Sequence, residues 1–529
     1  MDKLPIGIQS FEKLRKGDYK YIDKTQYVWD LIESGSAFFL SRPRRFGKSL
    51  LLSTVKAYFE GKKELFFGLK ISELESGREE KWVPYPVIDI SLAGGQFSTR
   101  SGLSNILSDA FISTANTYDI PFGEGDDLAV QFKQLIRKLY EKSGQPVVVL
   151  VDEYDKPLLE NIGKDTEYER ANRTLLKAVF SVLKDMDAYL KFIFITGVTK
   201  FNKVSVFSDL NQLKDISLMP KYAGICGITE NEMREYFRDE VDSLAQLQEM
   251  SRKEVFARLE KMYDGYHLSR SDIGVYNPFS LLNAFFEGDF NRYWFESGTP
   301  TFLYRLLAKS GRPVREFSDG VTATEARLNN YRADTEDMIP LYYQAGYLTI
   351  IGYDQNFRVY TLSYPNDEVK YGYLESLIPM ASNHYHAPED SFSASKMVTY
   401  LRDNDMELFL TMLQALLASV PYHEGKTPSN EQQWRNIVYA IFTVLGQYVR
   451  TEVHSAAGRS DCIVENEKYV YIFEFKQDKT AEEALNQIEE KNYALPYVSS
   501  GKRIVKIGAD FSTKIGSLDS WKIHTENEK

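Results

Sequence analysis

The most informative segment of the sequence is Arg42-Pro43-Arg44-Arg45-Phe46-Gly47-Lys48-Ser49. It follows a short apolar segment, 37–41, that we interpret as a strand, and it precedes a segment with helical character, 50–59. Backbone N–H groups at the start of a helix face an anion, and the helix dipole favours negative charge there. The segment therefore predicts a phosphate-binding loop. The alternative interpretation is a solvated basic turn that caps a helix.

The side chains of this loop suit a nucleotide with bound Mg²⁺. Gly47 belongs to the backbone that surrounds the phosphates, Lys48 would reach the β- and γ-phosphates, and the Ser49 hydroxyl would ligate the metal. Arg44 and Arg45 would add positive charge. The loop therefore predicts binding of ATP with Mg²⁺.

A second apolar run, 147–151, ends at Asp152 and Glu153. After such a loop, the first carboxylate holds Mg²⁺ through water, and the second orients or deprotonates the attacking water. The alternative is a strand end with two solvated acids. A third run ends in Thr196, and Thr199 follows; either hydroxyl would sense the γ-phosphate, with a turn cap as the alternative. Short apolar runs separated by helical segments predict a parallel sheet covered on both faces.

After about residue 225 the pattern becomes helical. Thr229 and Glu232 have the spacing of a capping box, and further helical segments extend to about residue 340. A β-hairpin is predicted from 347–353 and 357–362, on either side of a polar turn. Helices followed by a small hairpin are typical of a winged-helix-like module. A helical lid with a surface hairpin is the alternative.

The C-terminal part contains a second group of charged side chains on apolar strands. Asp461 leads into one strand, and Glu474 and Lys476 lie two residues apart on the next, so they project from the same face. Asp461 and Glu474 are hard oxygen ligands suited to Mg²⁺, which would activate water, and Lys476 would stabilise charge at a scissile phosphate. Glu431 is a candidate for an additional carboxylate ligand, and Glu452 competes for that role. The alternative is a surface hairpin with an aspartate cap and a cross-strand ion pair.

This D…E-x-K pattern resembles the PD-(D/E)XK nuclease superfamily, which has a restriction-endonuclease-like fold. On the following helix Gln487 and Lys491 lie four residues apart and share a face. That face would meet a phosphate backbone. The resemblance supports Gln487 in particular as a member of the catalytic site.

The chain as a whole resembles an AAA-ATPase-like family that pairs a P-loop domain with a C-terminal nuclease-superfamily domain. In that family Arg42 is a typical replacement for the first glycine of the pattern G-x-x-x-x-G-K-S. The stretches that carry the resemblance are Tyr21-Ile-Asp-Lys-Thr25, Arg42-Pro-Arg-Arg-Phe-Gly-Lys-Ser49, Val151-Asp-Glu-Tyr-Asp155, Thr196-Gly-Val198, Phe207-Ser-Asp-Leu-Asn211, Tyr276-Asn-Pro278 and Gly346-Tyr-Leu-Thr-Ile350. For Tyr21 and residues 23–25 a helix cap is favoured over a contact with nucleotide.

The pattern and the resemblance together predict an α/β protein with three parts. The first is a P-loop NTPase-type, AAA-ATPase-like domain with a parallel sheet, residues 1–225. The second is a helical lid and winged-helix-like region, 226–380. The third is a restriction-endonuclease-like α/β domain with preceding helices, 381–529.

Composition limits the class of protein. The chain has 529 residues, a net charge of −11 and two cysteines, Cys226 and Cys462, far apart in sequence. The acidic charge excludes a polycation that coats nucleic acid, and the cysteines exclude a disulfide framework or a cysteine zinc site. No apolar run approaches the roughly 20 residues needed to span a bilayer, and the N-terminus lacks the pattern of a signal peptide. We therefore expect a cytoplasmic protein without a membrane partner.

The leading hypothesis is an ATP-binding and ATP-hydrolysing protein coupled to a Mg-dependent nuclease-like domain that acts on DNA or RNA phosphodiesters. The alternative is a regulatory signalling ATPase whose nuclease-like domain is inactive and binds a partner or nucleic acid. A purely structural scaffold does not explain two sites that each combine carboxylates with a lysine. The sequence is compatible with a homo-oligomer, and it singles out no residue as an arginine finger.

Overall fold

The computed structural model describes residues 3–79, 81–99, 101–123, 127–161, 166–200, 206–207, 210–296, 303, 306–307, 310, 312–329, 337–381, 394–418, 428–446, 450–452 and 462–525. The chain forms two compact units: Met1–Gly298 with Asp319–Val369, and Thr299–Ser318 with Lys370–Lys529. The division into three domains at 225 and 380 stays a prediction. Most of the region expected to form the second domain packs in the same unit as the N-terminal sheet.

The helices that the structure describes are distributed over both units. Among them, none combines the length and the apolar character needed to cross a bilayer. In chain order they are α1 (Phe11–Lys16), α2 (Thr25–Ser34), α3 (Lys48–Phe59), α4 (Lys70–Glu75), α5 (Gly102–Thr117), α6 (Leu128–Ser143), α7 (Lys156–Leu159), α8 (Thr166–Asp185), α9 (Glu230–Tyr236), α10 (Arg238–Leu247), α11 (Arg252–Tyr263), α12 (Pro278–Glu287), α13 (Tyr293–Glu296), α14 (Glu316–Asp319), α15 (Glu325–Leu328), α16 (Ile339–Gln344), α17 (Asp367–Ala381), α18 (Ala394–Asp403), α19 (Met406–Ala418), α20 (Pro428–Leu445) and α21 (Ala481–Glu490).

The first unit is built on a parallel sheet. Its strands are β1 (Ala37–Ser41), β2 (Val87–Ser91), β3 (Val147–Asp152), β4 (Leu190–Gly197) and β5 (Lys214–Asp215), in the order β2-β3-β4-β1-β5. All four pairings are parallel, and every residue of β1 and β3 is buried. Strands buried on both faces are continuous apolar runs, which is why the sequence revealed them. The predicted parallel sheet is confirmed. Because β4 lies between β1 and β3, its end adjoins both the basic loop and the acidic strand end.

The same unit contains a helical region with its own core. The short strands β6 (Ile228–Thr229) and β7 (Val275–Tyr276) pair antiparallel and bring α9 and α12 together. Capping boxes begin α9 at Thr229 and α11 at Ser251. The core formed by these helices includes Met233, Phe237, Val241, Val255, Leu259, Tyr263 and Leu281.

A three-stranded antiparallel sheet follows, made of β8 (Val321–Thr324), β9 (Thr349–Asp354) and β10 (Val359–Ser363) in the order β8-β10-β9. Strand β8 precedes α15 and α16, and the β9–β10 hairpin ends the series, which is the element order of a winged helix. In helix-turn-helix modules the second helix enters the major groove of DNA. Here all residues of α16 are buried, so this helix does not present such a surface.

The second unit contains a mixed sheet in the order β11-β12-β13-β14-β15. Its strands are β11 (Arg450–Glu452), β12 (Cys462–Glu465), β13 (Tyr469–Gln477), β14 (Arg503–Ser512) and β15 (Ser517–Thr525). Only β13 and β14 pair in parallel, because α21 connects them as a crossover. This mixed sheet with helices fits the predicted restriction-endonuclease-like domain.

Candidate nucleotide and nuclease-like sites

The basic loop between β1 and α3 contains two residues in the left-handed region. Arg45 has a φ of 69°, and Gly47, the N-cap of α3, has a φ of 91°. Lys48 is buried, and its Nζ donates to the carbonyl oxygens of Arg42 at 2.8 Å and Pro43 at 2.9 Å. Burial lowers the pKa of the Lys48 ammonium. An ammonium has three donors, and contacts within the described part of the chain account for two of them.

The left-handed conformation of Arg45 costs about 1 kcal/mol or more in a residue with a side chain. Contacts from the helical region hold the loop in this conformation. The indole Nε1 of Trp294 donates to the Arg44 carbonyl at 3.2 Å, and the Arg45 guanidinium lies 4.9 Å from the centre of the Phe279 ring. The two arginines expected to add charge for phosphate are therefore positioned by residues far away in sequence.

Two further contacts fix the same loop. The rings of Phe46 and Tyr266 lie 4.8 Å apart in an edge-to-face arrangement. Gly346 has a φ of 89°, and a Cβ there would lie 2.8 Å from the Cβ of Pro43. Only glycine allows this approach, which gives the Gly346-Tyr-Leu-Thr-Ile350 stretch a structural reason.

Arg42, which stands where the usual loop has glycine, has a structural role. It is 2% exposed, and its guanidinium donates to the carbonyl oxygens of Ser41, Ser217 and Tyr222 at 2.8–2.9 Å. It is absent from the residues with positive φ, so the loop does not require glycine at this position. Arg42 thereby joins the loop to the chain that follows β5.

The hydroxyl groups of two candidate residues meet on one carboxylate. Ser49 Oγ donates to Asp152 Oδ2 at 2.5 Å, and Thr196 Oγ1 donates to Asp152 Oδ1 at 2.6 Å. These contacts follow from the strand order, because β4 lies next to both β1 and β3 and the three strands end at the same edge of the sheet. The structure thus brings Lys48, Ser49, Asp152 and Thr196 together at the carboxyl edge of the sheet.

Glu153 directly follows Asp152 and has a φ of 54°. Burial, and then the negative charge of Asp152, raise the pKa of Glu153, while Lys48 and Lys156 act in the opposite direction. A carboxylate with a raised pKa is a better proton acceptor. A strained backbone and a perturbed pKa at one residue are typical of functional sites.

Asp155 and Tyr154 are positioning residues whose contacts the sequence analysis did not predict. The buried Asp155 carboxylate accepts from the backbone N–H groups of Val198 and Thr199 and from the Thr199 hydroxyl at 2.7 Å. Tyr154 donates through its hydroxyl to the Thr199 carbonyl at 3.0 Å. Thr199 is therefore tied to Asp155, and of the two threonines it is Thr196 that contacts Asp152. The stretch Val151-Asp-Glu-Tyr-Asp155 was the available signal.

In the N-terminal stretch 21–25, the N-cap residue of α2 is Lys24, which makes no side-chain cap bond, and Asp23 is the residue that binds the start of the helix. Asp23 Oδ1 accepts from the backbone N–H of Thr25 at 2.8 Å and from its hydroxyl at 2.6 Å. The other carboxylate oxygen accepts from the N–H of Lys70 at 2.7 Å. Asp23 therefore connects the start of α2 to the start of α4.

In the second unit, β13 and α21 bring three candidate side chains into contact. Lys476 Nζ lies 3.2 Å from Glu474 Oε1, and the Gln487 side chain contacts both residues. Glu474 is 3% exposed, whereas Lys476 is partly exposed. The helix reaches the strands because β14 has glycine at Gly508, where a Cβ would lie 2.4 Å from the Ala481 carbonyl oxygen.

The other predicted carboxylates of this site are not described to the same extent. Asp461 lies outside the described residues, and the side chains of Glu431 on α20 and Glu452 on β11 are also outside the description. Among the residues that are described, no group of three metal-ligating side chains occurs. Cys462, the residue after Asp461 in sequence, pairs with Phe473 on β13, next to Glu474.

Comparison with known proteins gives matches for both parts of the chain. Residues 5–207 match a family described as predicted AAA-ATPase, and residues 429–521 match the PD-(D/E)XK nuclease superfamily. An uncharacterized protein in the vnfD 5'region of Azotobacter chroococcum mcd 1 is 38% identical over 524 residues, which cover 96% of each chain.

Proposed function

This chain belongs to the AAA-ATPase-like family with a C-terminal PD-(D/E)XK nuclease superfamily domain, and we propose that it hydrolyses ATP in its first unit and cleaves DNA or RNA phosphodiesters in its second. The observation that carries the proposal is the hydrogen-bonded group of Ser49, Asp152 and Thr196 beside Lys48. ATP hydrolysis would control the action of the second unit on nucleic acid.

The residues at the carboxyl edge of the parallel sheet fit a Mg²⁺ ion. A hydroxyl and a carboxylate 2.5 Å apart, from Ser49 and Asp152, are the hard oxygen donors that Mg²⁺ prefers. Ser49 would bind the metal directly and Asp152 through water. Bound Mg²⁺ would neutralise charge on the β- and γ-phosphates.

The remaining side chains have separate tasks. Lys48 and the N–H groups at the start of α3 bind the phosphates, with added charge from Arg44 and Arg45. Glu153 orients the attacking water and accepts its proton, a task that its raised pKa favours. Thr196 senses the γ-phosphate through its contact with the Mg²⁺-binding carboxylate.

In the second unit, Glu474 would hold Mg²⁺ together with Asp461, and Glu431 would add a carboxylate. Bound Mg²⁺ would supply a nucleophile by lowering the pKa of its water. Lys476 positions that water and stabilises charge on the phosphate. Gln487 orients Lys476 and Glu474, which it contacts.

The proposal is tested by incubating purified protein with labelled plasmid, single-stranded DNA and RNA, with and without ATP and with Mg²⁺ or Mn²⁺. We expect metal-dependent cleavage that disappears in Lys476→Ala and in Asp461→Ala, while ATP turnover persists in both. Lys48→Ala should lose nucleotide binding, whereas Lys476→Ala should keep it.

Cleavage that survives in Asp461→Ala would contradict the metal assignment, and equal loss of nucleotide binding in both lysine variants would contradict two separate sites. ATP hydrolysis without cleavage of any substrate would replace the proposal with a regulatory ATPase whose nuclease-like domain only binds.

A further inference from the structure

A cleft of about 1030 Å³ lies in the first unit, outside the nucleotide site. The β9–β10 hairpin, α15 and the loop after α11 form its walls. We call this space the hairpin cleft. It is lined by Arg270, Thr324, Glu325, Ala326, Asn329, Tyr353, Gln355, Phe357 and Arg358. Aromatic, amide and guanidinium groups thus surround one open space.

The charge of the hairpin cleft suits an anionic ligand. Arg270 and Arg358 contribute two guanidinium groups, and Glu325 contributes the one carboxylate among the lining residues. Glu325 already accepts from the Tyr360 hydroxyl at 3.3 Å. Among the described residues, no carboxylate lies within ion-pair distance of either arginine, in contrast to Arg327, which pairs with Asp337 at 2.6 Å.

The aromatic groups suit a ligand with flat rings. Phe357 is 78% exposed at the end of the hairpin. The turn that carries it is fixed, because Asp354 Oδ1 accepts from the backbone N–H groups of Asn356 at 2.8 Å and Phe357 at 3.0 Å. The Arg270 guanidinium lies 5.2 Å from the centre of the Tyr353 ring. The exposed Phe357 ring therefore offers a flat apolar surface in the same cleft as the two guanidinium groups.

We propose that the hairpin cleft binds a single strand of nucleic acid. Arg270 and Arg358 bind backbone phosphates, a base stacks on Phe357, and Gln355 and Asn329 hydrogen-bond to base edges. An acidic peptide would satisfy the two arginines but would leave Phe357 exposed. The site is built only from the first unit, so it does not depend on the activity of the C-terminal site.

The hairpin cleft also adjoins the segment that ends β4. Asn329 lines the cleft, and its Oδ1 accepts from Lys200 Nζ at 2.8 Å. Lys200 follows Thr199 in the chain, and its backbone N–H donates to Gln344 Oε1 at 2.7 Å. A nucleic-acid strand that binds Asn329 acts through Lys200 on the segment that directly follows β4, the strand that carries Thr196. Binding in the cleft therefore changes the rate of ATP hydrolysis.

The test uses the full chain with Lys476→Ala, which prevents cleavage, and fluorescent single-stranded DNA and RNA oligonucleotides followed by anisotropy at several salt concentrations. In Arg270→Ser/Arg358→Ser the Kd should rise about tenfold or more, and the slope of log Kd against log salt should fall by about 1 to 2. Phe357→Ala should weaken binding by about fivefold or more. The DNA and RNA arms identify the preferred strand.

The matched control, Arg252→Ser/Lys253→Ser, removes two positive charges from α11 and should change the Kd by less than about twofold. Equal weakening in the control and in the cleft variant would overturn the proposal. The proposal would also be overturned if polyglutamate displaced the labelled oligonucleotide as effectively as unlabelled oligonucleotide does. It would be overturned as well if neither DNA nor RNA bound. If the wild-type protein cleaves nucleic acid and the cleft variants bind oligonucleotide as well as the wild type does, this inference is overturned. The proposed function is then unaffected.

The coupling is tested by ATP hydrolysis with and without oligonucleotide. Oligonucleotide should change the rate of ATP hydrolysis by the wild-type protein at least about twofold, because ligands of two coupled sites affect each other. Lys200→Met removes the ammonium group that donates to Asn329 and leaves the lining of the cleft intact, so it should keep oligonucleotide binding and lose the change in rate. An oligonucleotide that binds the cleft without altering ATP turnover would overturn the coupling.

Discussion

Asp152 receives a hydroxyl group on each of its carboxylate oxygens, from Ser49 at 2.5 Å and from Thr196 at 2.6 Å. Thr196→Val removes one hydroxyl and keeps the shape of the side chain. Because Lys48 and the loop remain intact, ATP should bind with a Kd within about threefold of wild type, while kcat should fall about tenfold to a hundredfold. Equilibrium binding of a fluorescent nucleotide and steady-state hydrolysis measure the two effects. Equal changes in Kd and kcat would contradict a role for Thr196 in the chemical step.

Asp264 provides a test of pH dependence. Burial raises the pKa of this carboxyl to about 6, helped by Glu230 and Glu260 and opposed by the N–H of Gly265. Its Oδ1 is a buried atom without a hydrogen-bond partner among the described residues. The folded state therefore binds the proton more tightly than the unfolded state. The stability that this provides is complete below the unfolded pKa, near 4, and is lost as the pH rises through about 6.

Asp264→Asn should consequently stabilise the first unit at pH 7.5, by about 1 to 3 kcal/mol, and have a clearly smaller stabilising effect at pH 4.5. Thermal unfolding of both proteins at the two pH values measures the difference. Asp242→Asn, at an exposed aspartate that pairs with Arg252, serves as the control. A variant that is destabilised equally at both pH values would refute the linkage.

The sequence locates Lys48, Ser49, Asp152 and Thr196, because each lies at the end of an apolar run or in the segment after it, and the ends of parallel strands meet at one edge of the sheet. It does not reveal what Arg42 and Asp155 do. Arg42 binds carbonyl groups near residues 217 and 222, and Asp155 binds N–H groups beyond β4. Roles of this kind depend on which backbone groups of distant segments face the side chain, and local pattern carries no such information.

Among the elements, the basic loop between β1 and α3 is held by the helical region through a chain of contacts. The buried Glu368 accepts from the backbone N–H of Trp294 at 2.8 Å and from the Ser280 hydroxyl at 2.7 Å. The indole of Trp294 then donates to the Arg44 carbonyl at 3.2 Å. The conformation of the loop therefore depends on α12, α13 and the start of α17.

Trp294→Phe removes the indole N–H and keeps an aromatic ring against Tyr347, which lies 5.2 Å away. Loss of one hydrogen bond of about 1 kcal/mol should raise the Kd for ATP about fivefold. The unfolding midpoint should change by less than about 2 °C, since most of the packing is retained. Titration with a fluorescent nucleotide and a thermal melt measure both. Unchanged affinity for ATP would contradict a positioning role for Trp294.

The sequence predicts the elements better than it predicts their packing. The hairpin expected at 347–353 and 357–362 occurs as β9 and β10, with bounds shifted by two residues or fewer. The burial of α16 could not be foreseen from Ile339-Pro-Leu-Tyr-Tyr-Gln344, because an apolar helix of this length shows no periodicity that separates a buried face from an exposed one. The buried α16 instead contacts the segment that follows β4, because Gln344 accepts from the backbone N–H of Lys200.

At the scale of the whole molecule, each compact unit contains one of the two proposed sites. The nucleotide site is built from strands and helices of the first unit, and the Glu474 site is built from β13 and α21 of the second. The chain passes between the units three times, at 298–299, 318–319 and 369–370. The units are therefore interleaved in sequence.

Because nucleotide binds only the first unit in this proposal, it should stabilise that unit selectively. Calorimetry of the wild-type protein should show two unfolding transitions, of which one shifts upward with Mg²⁺ and a non-hydrolysable ATP analogue. At an analogue concentration of about 100 times Kd the stabilisation is about 2.7 kcal/mol, or roughly 4 °C for a unit of this size. Lys48→Ala should abolish the shift, and Lys476→Ala, the matched lysine of the second unit, should retain it. The assignment of one site to each unit would fail if the ATP analogue shifted both unfolding transitions of the wild-type protein. It would also fail if the analogue still shifted a transition of Lys48→Ala, because nucleotide binding would then not be confined to the loop at Lys48.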